Sequence, residues 1–236
     1  MKNDTFRFKQ FSVKQDRCAM KIGTDAVLLA TLPRFRPVRR ILDIGTGTGV
    51  VALMLAQQMP AAHIDAIELD PGAARQAAFN FSQSPWAANL HGIQGDFLDF
   101  SAEEKYDLIV SNPPYFTNAL RSDTPERNLA RHADESLLSG WLLKAAALLN
   151  ESGNLALILP YASDGSFIAQ IPPESGLFLH AHIGIHSFPG SEPVRMIVIL
   201  SKCLSQTDKK SFVIYEERNK YSASYVDFMK DYFIIF

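Results

Sequence analysis

Cysteine is scarce in this chain: Cys18 and Cys203 are the only two among 236 residues, and they stand far apart. They form no CxxC and no metal-ligand spacing, which excludes a disulfide scaffold or a zinc ribbon and makes a reducing cytoplasm the expected compartment. No apolar run approaches the ~20 residues that a bilayer-spanning helix needs. No basic-then-apolar leader opens the chain, so no membrane association is expected. A G-x-S-x-G nucleophile elbow is missing, and with it a common hydrolase signature. His180, His182 and His186 alternate along one apolar segment, but no cysteine or carboxylate motif joins them, and no metal is expected.

Net charge is also small, at -2, yet it is unevenly spread. Residues 1–40 hold ten basic side chains (Lys2, Arg7, Lys9, Lys14, Arg17, Lys21, Arg34, Arg36, Arg39, Arg40) against three acids. The rest of the chain is acidic. A basic end on an acidic body suits a polyanion partner, and it equally suits a solvated surface.

From residue 39 onward, strand-like and helix-like segments alternate. "RRILDIG", "HIDAIELD", "LHGIQGD", "YDLIVSN" and "GNLALILP" read as strands, as do "GLFLHAHIGIHS", "VRMIVILSK" and a short "SFVIYEE". Between them lie helical segments: "VVALMLAQQMP", "PGAARQAAFNFSQ" with Asp70 as cap and Pro71 in its first turn, and "DESLLSGWLLKAAALLN", capped by Asp134 or Ser136. "SASYVDFMKDYF" reads as a last helix. This alternation predicts a doubly wound α/β fold with a mostly parallel sheet and helices on both faces. The expected organisation is a basic N-terminal extension with one helix over residues 1–38, packed on one domain over residues 39–236.

Two turns carry the chemistry. "ILDIGTGTGV" places Gly45, Gly47 and Gly49 between a strand and a helix, where the backbone can approach a ligand closely. The spacing is not the G-x-G-x-x-G of a dinucleotide fold, nor the Gly-Lys-Ser/Thr of a P-loop. Glu68 closes the next strand, where an acid can accept from both hydroxyls of a ribose. Asp96 and Phe97 close the third. Alone, Asp96 reads more readily as a turn residue; in series with the glycines and Glu68, the set points to an adenosine. That series resembles the class I S-adenosylmethionine-dependent methyltransferases. The resemblance implies a Rossmann-like, seven-stranded sheet whose last strand, "VRMIVILSK", runs antiparallel. It implies S-adenosyl-L-methionine as cofactor, with Asp43, Gly45, Thr46, Gly47, Gly49, Glu68, Leu69, Asp96, Phe97 and Asn112 around it and Asp43 near its methionine end.

"SNPPYF" follows the fourth strand. In a doubly wound sheet the first and fourth strands flank the point where chain order reverses, so the glycine and proline turns are expected to face one cleft. An exocyclic amine is a poor nucleophile because its lone pair is delocalised into the ring. The Asn112 side-chain carbonyl and the Pro113 backbone carbonyl can each accept one N–H from it, with Pro113 and Pro114 fixing the backbone. Tyr115 offers a face for stacking a base, and Phe116 a pocket wall. The motif resembles that of methyltransferases acting on adenine N6, guanine N2 or glutamine amide nitrogen.

Three readings follow: an RNA adenine-N6 methyltransferase, a protein glutamine-N5 methyltransferase, and a nucleotide-binding module without transfer activity. The ~40 residues before the glycine turn leave no room for the separate recognition domain usual in the second. The third leaves Asn112–Tyr115 unexplained. The segments "FKQF", "QDRCAMKIGTDAVLLA", "ILDIGTGTG", "IELD", "SPWA" and "SNPPYF" resemble the bacterial tRNA (adenine-N6)-methyltransferases that modify the adenosine 3′ of the anticodon in a valine tRNA. That resemblance implies a tRNA substrate and no obligate protein partner. It adds Lys21, Gly23, Thr24 and Asp25 beside the cofactor, with a helix N-cap as the plain alternative for Thr24. Arg17, Arg121 and Arg131, with Lys9, Lys14, Arg34, Arg36, Arg39 and Arg40, are the candidate grips on RNA phosphates. Residues 117–133 are expected to form a long polar recognition loop that also carries Arg127.

Overall fold

Eight strands join into one sheet. A computed structural model describes residues 4–16, 18, 21–113, 125–161 and 166–236, the side chains of 125–136 and 166 excepted. The chain opens with a hairpin, β1 (Thr5–Arg7) and β2 (Ser12–Lys14), followed by α1 (Thr24–Thr31). There follow β3 (Arg40–Ile44), α2 (Val50–Gln58), β4 (His63–Glu68), α3 (Pro71–Ser82), β5 (Leu90–Gln94) and β6 (Tyr106–Ser111). Then come α4 (Pro125–Leu148), β7 (Leu149–Pro160), α5 (Ser166–Ala169), β8 (Phe178–His186) and β9 (Pro193–Ser201). The last elements are β10 (Asp208–Val213), β11 (Tyr215–Glu217), β12 (Lys220–Tyr221) and α6 (Ala223–Met229).

The strand order is β10-β8-β9-β7-β6-β3-β4-β5. β3 lies between β4 and β6 and runs parallel to both. β9 runs antiparallel to β7 and β8, as expected for "VRMIVILSK". This is the doubly wound, mostly parallel sheet that the sequence predicts, with one addition. "SFVIYEE" does not stay a short extra piece: it splits at Ile214, and its first half extends back to Asp208 to pair in parallel with β8 as an eighth strand. Its exposed Lys209 and Lys210 keep that edge from pairing with another chain.

Successive residues of the central strands point to opposite faces. Ile41, Leu108, Val110, Ala156 and Ile158 pack on one face with residues of α1, α2, α3 and α6. Leu42, Ile44, Ile109, Leu155 and Leu157 pack on the other against Leu138, Leu142 and Ala145 of α4 and Phe167 of α5. The long helix starts earlier than the apolar spacing predicts. α4 begins at Pro125, so neither Asp134 nor Ser136 caps it, and residues 125–133 of the expected recognition loop are helical. Proline is at home in the first turn of a helix, and the polar sequence after it has no apolar stripe to announce it.

The N-terminal segment packs on the same domain. Phe8, Phe11 and Val13 are buried in the first core. Lys9 donates from its backbone to Tyr232 O at 2.7 Å and from Nζ to Lys230 O at 2.6 Å and Phe236 O at 2.8 Å. Phe8 stacks on Phe11 and on Phe233.

The N-terminal end of the sheet is a polar lock. The Tyr106 hydroxyl, fully buried, donates to Asp65 Oδ2 at 2.7 Å. Arg40 Nη2 reaches the same oxygen at 3.3 Å, and His63 Nε2 lies 3.2 Å from Asp65 Oδ1. Burial, then the hydrogen bond to Asp65, push the Tyr106 phenol far above its ordinary range, so it acts as a donor throughout. Tyr106→Phe should lower unfolding stability by about 1 kcal/mol, read from the urea midpoint; an unchanged midpoint would remove the lock as a source of stability.

Candidate cofactor and amine site

Between β3 and α2 the chain must reverse within five residues, and three glycines make this possible. Gly45, Gly47 and Gly49 hold φ values of 70°, 56° and 83°, a region costly for residues with a Cβ. The amides of Gly45 and Thr46 both donate to Ile67 O, at 2.9 and 3.1 Å, which pins the turn to the tip of β4. A Cβ on Gly49 would lie 2.5 Å from the Phe81 ring, so packing fixes that position. A Cβ on Gly45 or Gly47 would meet nothing within 4 Å, so these two present bare backbone to open space.

Glu68, at the end of β4, braces the turn. Its Oε2 accepts from Gly47 N and its Oε1 from Asp70 N, both at 2.9 Å. Each carboxylate oxygen keeps a further lone pair, so a ribose diol can be held here beside the open glycines. Asp70 caps α3 as the sequence predicts, accepting from Ala73 N at 2.7 Å.

Asp43 is turned inward. It is 1% exposed and accepts from the Thr46 hydroxyl at 2.6 Å. Burial pushes its pKa up to about 7, against the lowering effect of Thr46 and of the Ala52 amide; the charge of Glu68 raises it further. In this structure Asp43 and Thr46 are the under-frame of the turn.

At the tips of β4 and β5 stand Leu69, 54% exposed, and Leu98, 40% exposed. Such apolar exposure on neighbouring tips suits a flat ring. Asp96 is exposed, and its Oδ1 accepts from Leu98 N at 2.9 Å, the turn geometry noted above. Phe97 is buried and packs at 5.2 Å from the Trp141 ring. Cys18 lies close to Glu68 and Asp70; burial first, then those acids, push its thiol up to about 11 and keep it neutral.

The proline turn leaves the sheet beside the glycine turn. β6 pairs with β3 as far as Ser111 opposite Ile44, and Ser111 Oγ donates to Ile44 O at 2.8 Å. Asn112 follows half-buried, and Pro113 is buried. Pro114, Tyr115, Phe116, Arg17 and Arg121 lie outside the described residues, as do the side chains of Arg127 and Arg131.

Gly23, Thr24 and Asp25 open α1 at this same sheet edge. Gly23 is the N-cap, and Thr24 is already helical, so the cap reading of Thr24 does not hold. Asp25 Oδ2 accepts from Arg195 Nε at 2.9 Å, and Arg195 pairs with Pro160 at the end of β7. Lys21 is exposed, with Nζ 3.7 Å from Asp4.

The basic residues of the first 40 divide. Lys14 is exposed near the glycine turn, its Nζ 4.6 Å from the centre of the Phe79 ring. Lys9 is spent on the backbone carbonyls described above. Arg34 pairs with Asp227 at 3.4 Å and covers the Phe228 ring. Arg39 and Arg40 enter β3 from its other end, ~16 Å of strand from the glycines at ~3.3 Å per residue. Asp107 accepts from both of their amides, and Arg40 is tied to Asp65 and Glu104. A count of charge along the sequence does not separate these groups. Sequence reasoning also passes over Asn80 and Arg195, which carry no motif and are visible only through their partners, over the exposure of Leu98, and over the bond that Ser111 makes at the head of "SNPPYF".

The methyltransferase small domain family matches residues 18–160. A tRNA1(Val) (adenine(37)-N6)-methyltransferase of Actinobacillus pleuropneumoniae is 42% identical over 99% of this chain and 98% of its own length. One from Bacteroides thetaiotaomicron is 37% identical over 99% of each. Among solved structures, a predicted O-methyltransferase of Agrobacterium tumefaciens has a TM-score of 0.65 at 22% identity, covering 88% of this chain and 96% of that one. The glycopeptide N-methyltransferase MtfA, solved with (S)-adenosyl-L-methionine, has a TM-score of 0.55 at 13% identity, covering 76% of this chain and 88% of its own. These two likenesses are of fold alone. The sheet is that of a class I methyltransferase. Within that class, the chain belongs to the family of the tRNA1(Val) (adenine(37)-N6)-methyltransferases.

Two predictions follow from the turn. Gly49→Ala carries both backbone strain and the Phe81 clash and should cost at least about 2 kcal/mol, whereas Gly47→Ala carries strain alone, roughly 1 kcal/mol; urea midpoints compared at constant slope read the difference. Asp43 holds its proton more tightly folded than unfolded, so its contribution to stability is full below the ordinary carboxylate pKa and is lost as pH rises through about 7. Asp43→Asn should flatten the fall in melting temperature across that window; an unchanged slope would remove Asp43 as its cause.

Proposed function

We propose that this chain transfers a methyl group from S-adenosyl-L-methionine to N6 of an adenine in tRNA, the adenosine 3′ of the anticodon in a valine tRNA. The observation that carries the reading is the parallel pairing of β3 with β6, with Ile44 opposite Ser111, which brings the open glycines beside Asn112–Pro113. The substrate follows from full-length similarity to relatives of that name. The bound cofactor supplies an electrophilic sulfonium methyl.

The residues do the rest by positioning. Glu68 takes the ribose hydroxyls, Asp96 the adenine amino group, and Leu69 the ring face, with Phe97 behind it. The backbone at Gly45, Thr46, Gly47 and Gly49 lines the side where the methionine and ribose lie, with Asp43 beneath. Lys21, Gly23, Thr24 and Asp25 border the methionine end. Asn112 Oδ1 accepts one N–H of the target amine and the Pro113 carbonyl accepts the other, which turns the nitrogen lone pair towards the glycine-turn side. Pro114 stiffens that mount. Tyr115 stacks the target base and Phe116 lines the pocket; no strong base is needed, because the nitrogen is positively charged once it carries the methyl, the thioether having left, and only then loses its proton to water. Arg17, Arg121 and Arg131, with Lys14, meet phosphates. Residues 1–38 form the basic extension and 39–236 the methyltransferase domain, working on tRNA in the cytoplasm.

Nucleoside mass spectrometry of tRNA from cells with and without the gene tests the reading. Loss of N6-methyladenosine from valine tRNA, restored by the wild-type gene, is expected. An unchanged level would overturn it, and methylation of a protein glutamine by the purified chain would replace it. Asn112→Ala should lower kcat by about 10²-fold or more while cofactor affinity, read by calorimetry, stays within about 3-fold, because the side chain acts on the amine.

A further inference from the structure

Asn80 lies in the third turn of α3 with 2% of its surface exposed. A carboxamide buried that deeply must place its donors and acceptor on protein partners. Its Oδ1 accepts from Lys14 N at 2.9 Å, and its Nδ2 donates to Lys14 O at 2.9 Å and to Thr48 O at 2.8 Å. The first two bonds hold one residue of β2 as a neighbouring strand would. The third takes the carbonyl that sits between Gly47 and Gly49. One planar group therefore spans the N-terminal hairpin and the glycine turn.

The bonds around it extend the link both ways. On the turn side, the next residue of α3, Phe81, is the ring that a Cβ on Gly49 would strike. On the hairpin side, Gln15 is 9% exposed, its amide donates to Asp4 O at 2.8 Å, and its Oε1 accepts from Ile22 N at 3.0 Å. Lys14 and Gln15 thus tie the hairpin to the glycine turn through Asn80, and to the start of α1 through Ile22. A carboxamide is rigid, so Thr48 O cannot move without disturbing the geometry at Lys14.

We propose that Asn80 is a positioning residue that couples the β1–β2 hairpin to the glycine turn, so that a cofactor seated on the turn orders the hairpin, and with it Lys14, for the nucleic-acid substrate. The proposal rests on the reading of the glycine turn as the cofactor site. By linkage the coupling is reciprocal: tRNA on the hairpin tightens the cofactor by the same factor.

Hydrogen exchange on the full chain, with and without saturating S-adenosylhomocysteine, tests it. In the wild type the ligand should slow exchange both at residues 45–49 and, by about 3-fold or more, at residues 12–16. In Asn80→Ala, and in Asn80→Asp, the protection at 45–49 should remain and that at 12–16 should vanish. The aspartate keeps the volume and the acceptor for Lys14 N but turns an oxygen on two carbonyls, so it serves if the alanine variant does not fold. A purely structural asparagine would raise exchange generally and leave the ligand-induced change at 12–16 intact; that result overturns the proposal. So does a wild type in which the ligand protects 45–49 but not 12–16. If the wild type shows no protection at 45–49, the cofactor reading of the turn fails, and the proposal falls with it. As a second readout, the ligand should tighten binding of unmodified valine tRNA about 5-fold or more in the wild type and not in Asn80→Asp.

Discussion

The site depends on the pairing of two strands. β3 and β6 are distant in sequence but adjacent and parallel, with Ile44 opposite Ser111. Chain order reverses between them, because β4 and β5 extend the sheet one way and β7, β9 and β8 the other. The helices that follow β3 and β6, α2 and α4, pack on opposite faces of the sheet, and a doubly wound sheet takes its ligands at such a reversal of chain order. The glycine turn follows β3, and Asn112–Pro113 follows the neighbouring β6. Ser111, whose hydroxyl bonds to Ile44 O, fastens the two strand ends to each other. A shift of β6 by one residue would turn Ser111 and Asn112 to the opposite faces of the sheet and separate the two halves of the chemistry.

Around this pair the molecule divides its tasks between the two ends of the sheet. The N-terminal end of the strands holds Tyr106, Asp65, Arg40 and His63 in a mostly buried polar lock. The other end leaves backbone bare at Gly45 and Gly47, keeps Glu68 within reach of it, and exposes Leu69 and Leu98. The N-terminal hairpin is fastened to both the turn and the chain's last residues, through Asn80 on one side and through Lys9 and Phe8 on the other. Ordering of the first residues and of the turn is therefore one structural problem, solved by α3 and the segment around Tyr232.

Much of this could be read from residues alone. The apolar runs Leu108–Val110 in β6 and Leu155–Leu159 in β7, and that of β3, broken only at Asp43, mark strands buried on both faces. Asp70 before Pro71 marks a capped helix, and the glycines between a strand and a helix mark the tight turn that Glu68 braces. What escaped has physical causes. β10 begins with charged residues because it is an edge, and edges do not show the apolar run of an inner strand. The first turns of α4 carry no apolar stripe. The basic residues were harder: charge counts treat Lys14 and Arg39 alike, although strand direction alone sends Arg39 to the far end of β3 from Gly45. Asn80 has no signature at all, since a buried asparagine is recognised only by the three backbone groups it satisfies.

The central claim is that a base amine and a methyl donor meet over the β3–β6 pair. A crystal structure of the protein with S-adenosylhomocysteine and an anticodon stem-loop of valine tRNA tests it most directly. The account predicts the adenosine 3′ of the anticodon flipped from its stack, with N6 about 3 Å from Asn112 Oδ1 and from the Pro113 carbonyl, and the sulfur on the glycine-turn side. An adenine amine bound elsewhere, with Asn112 facing away from it, would contradict the account.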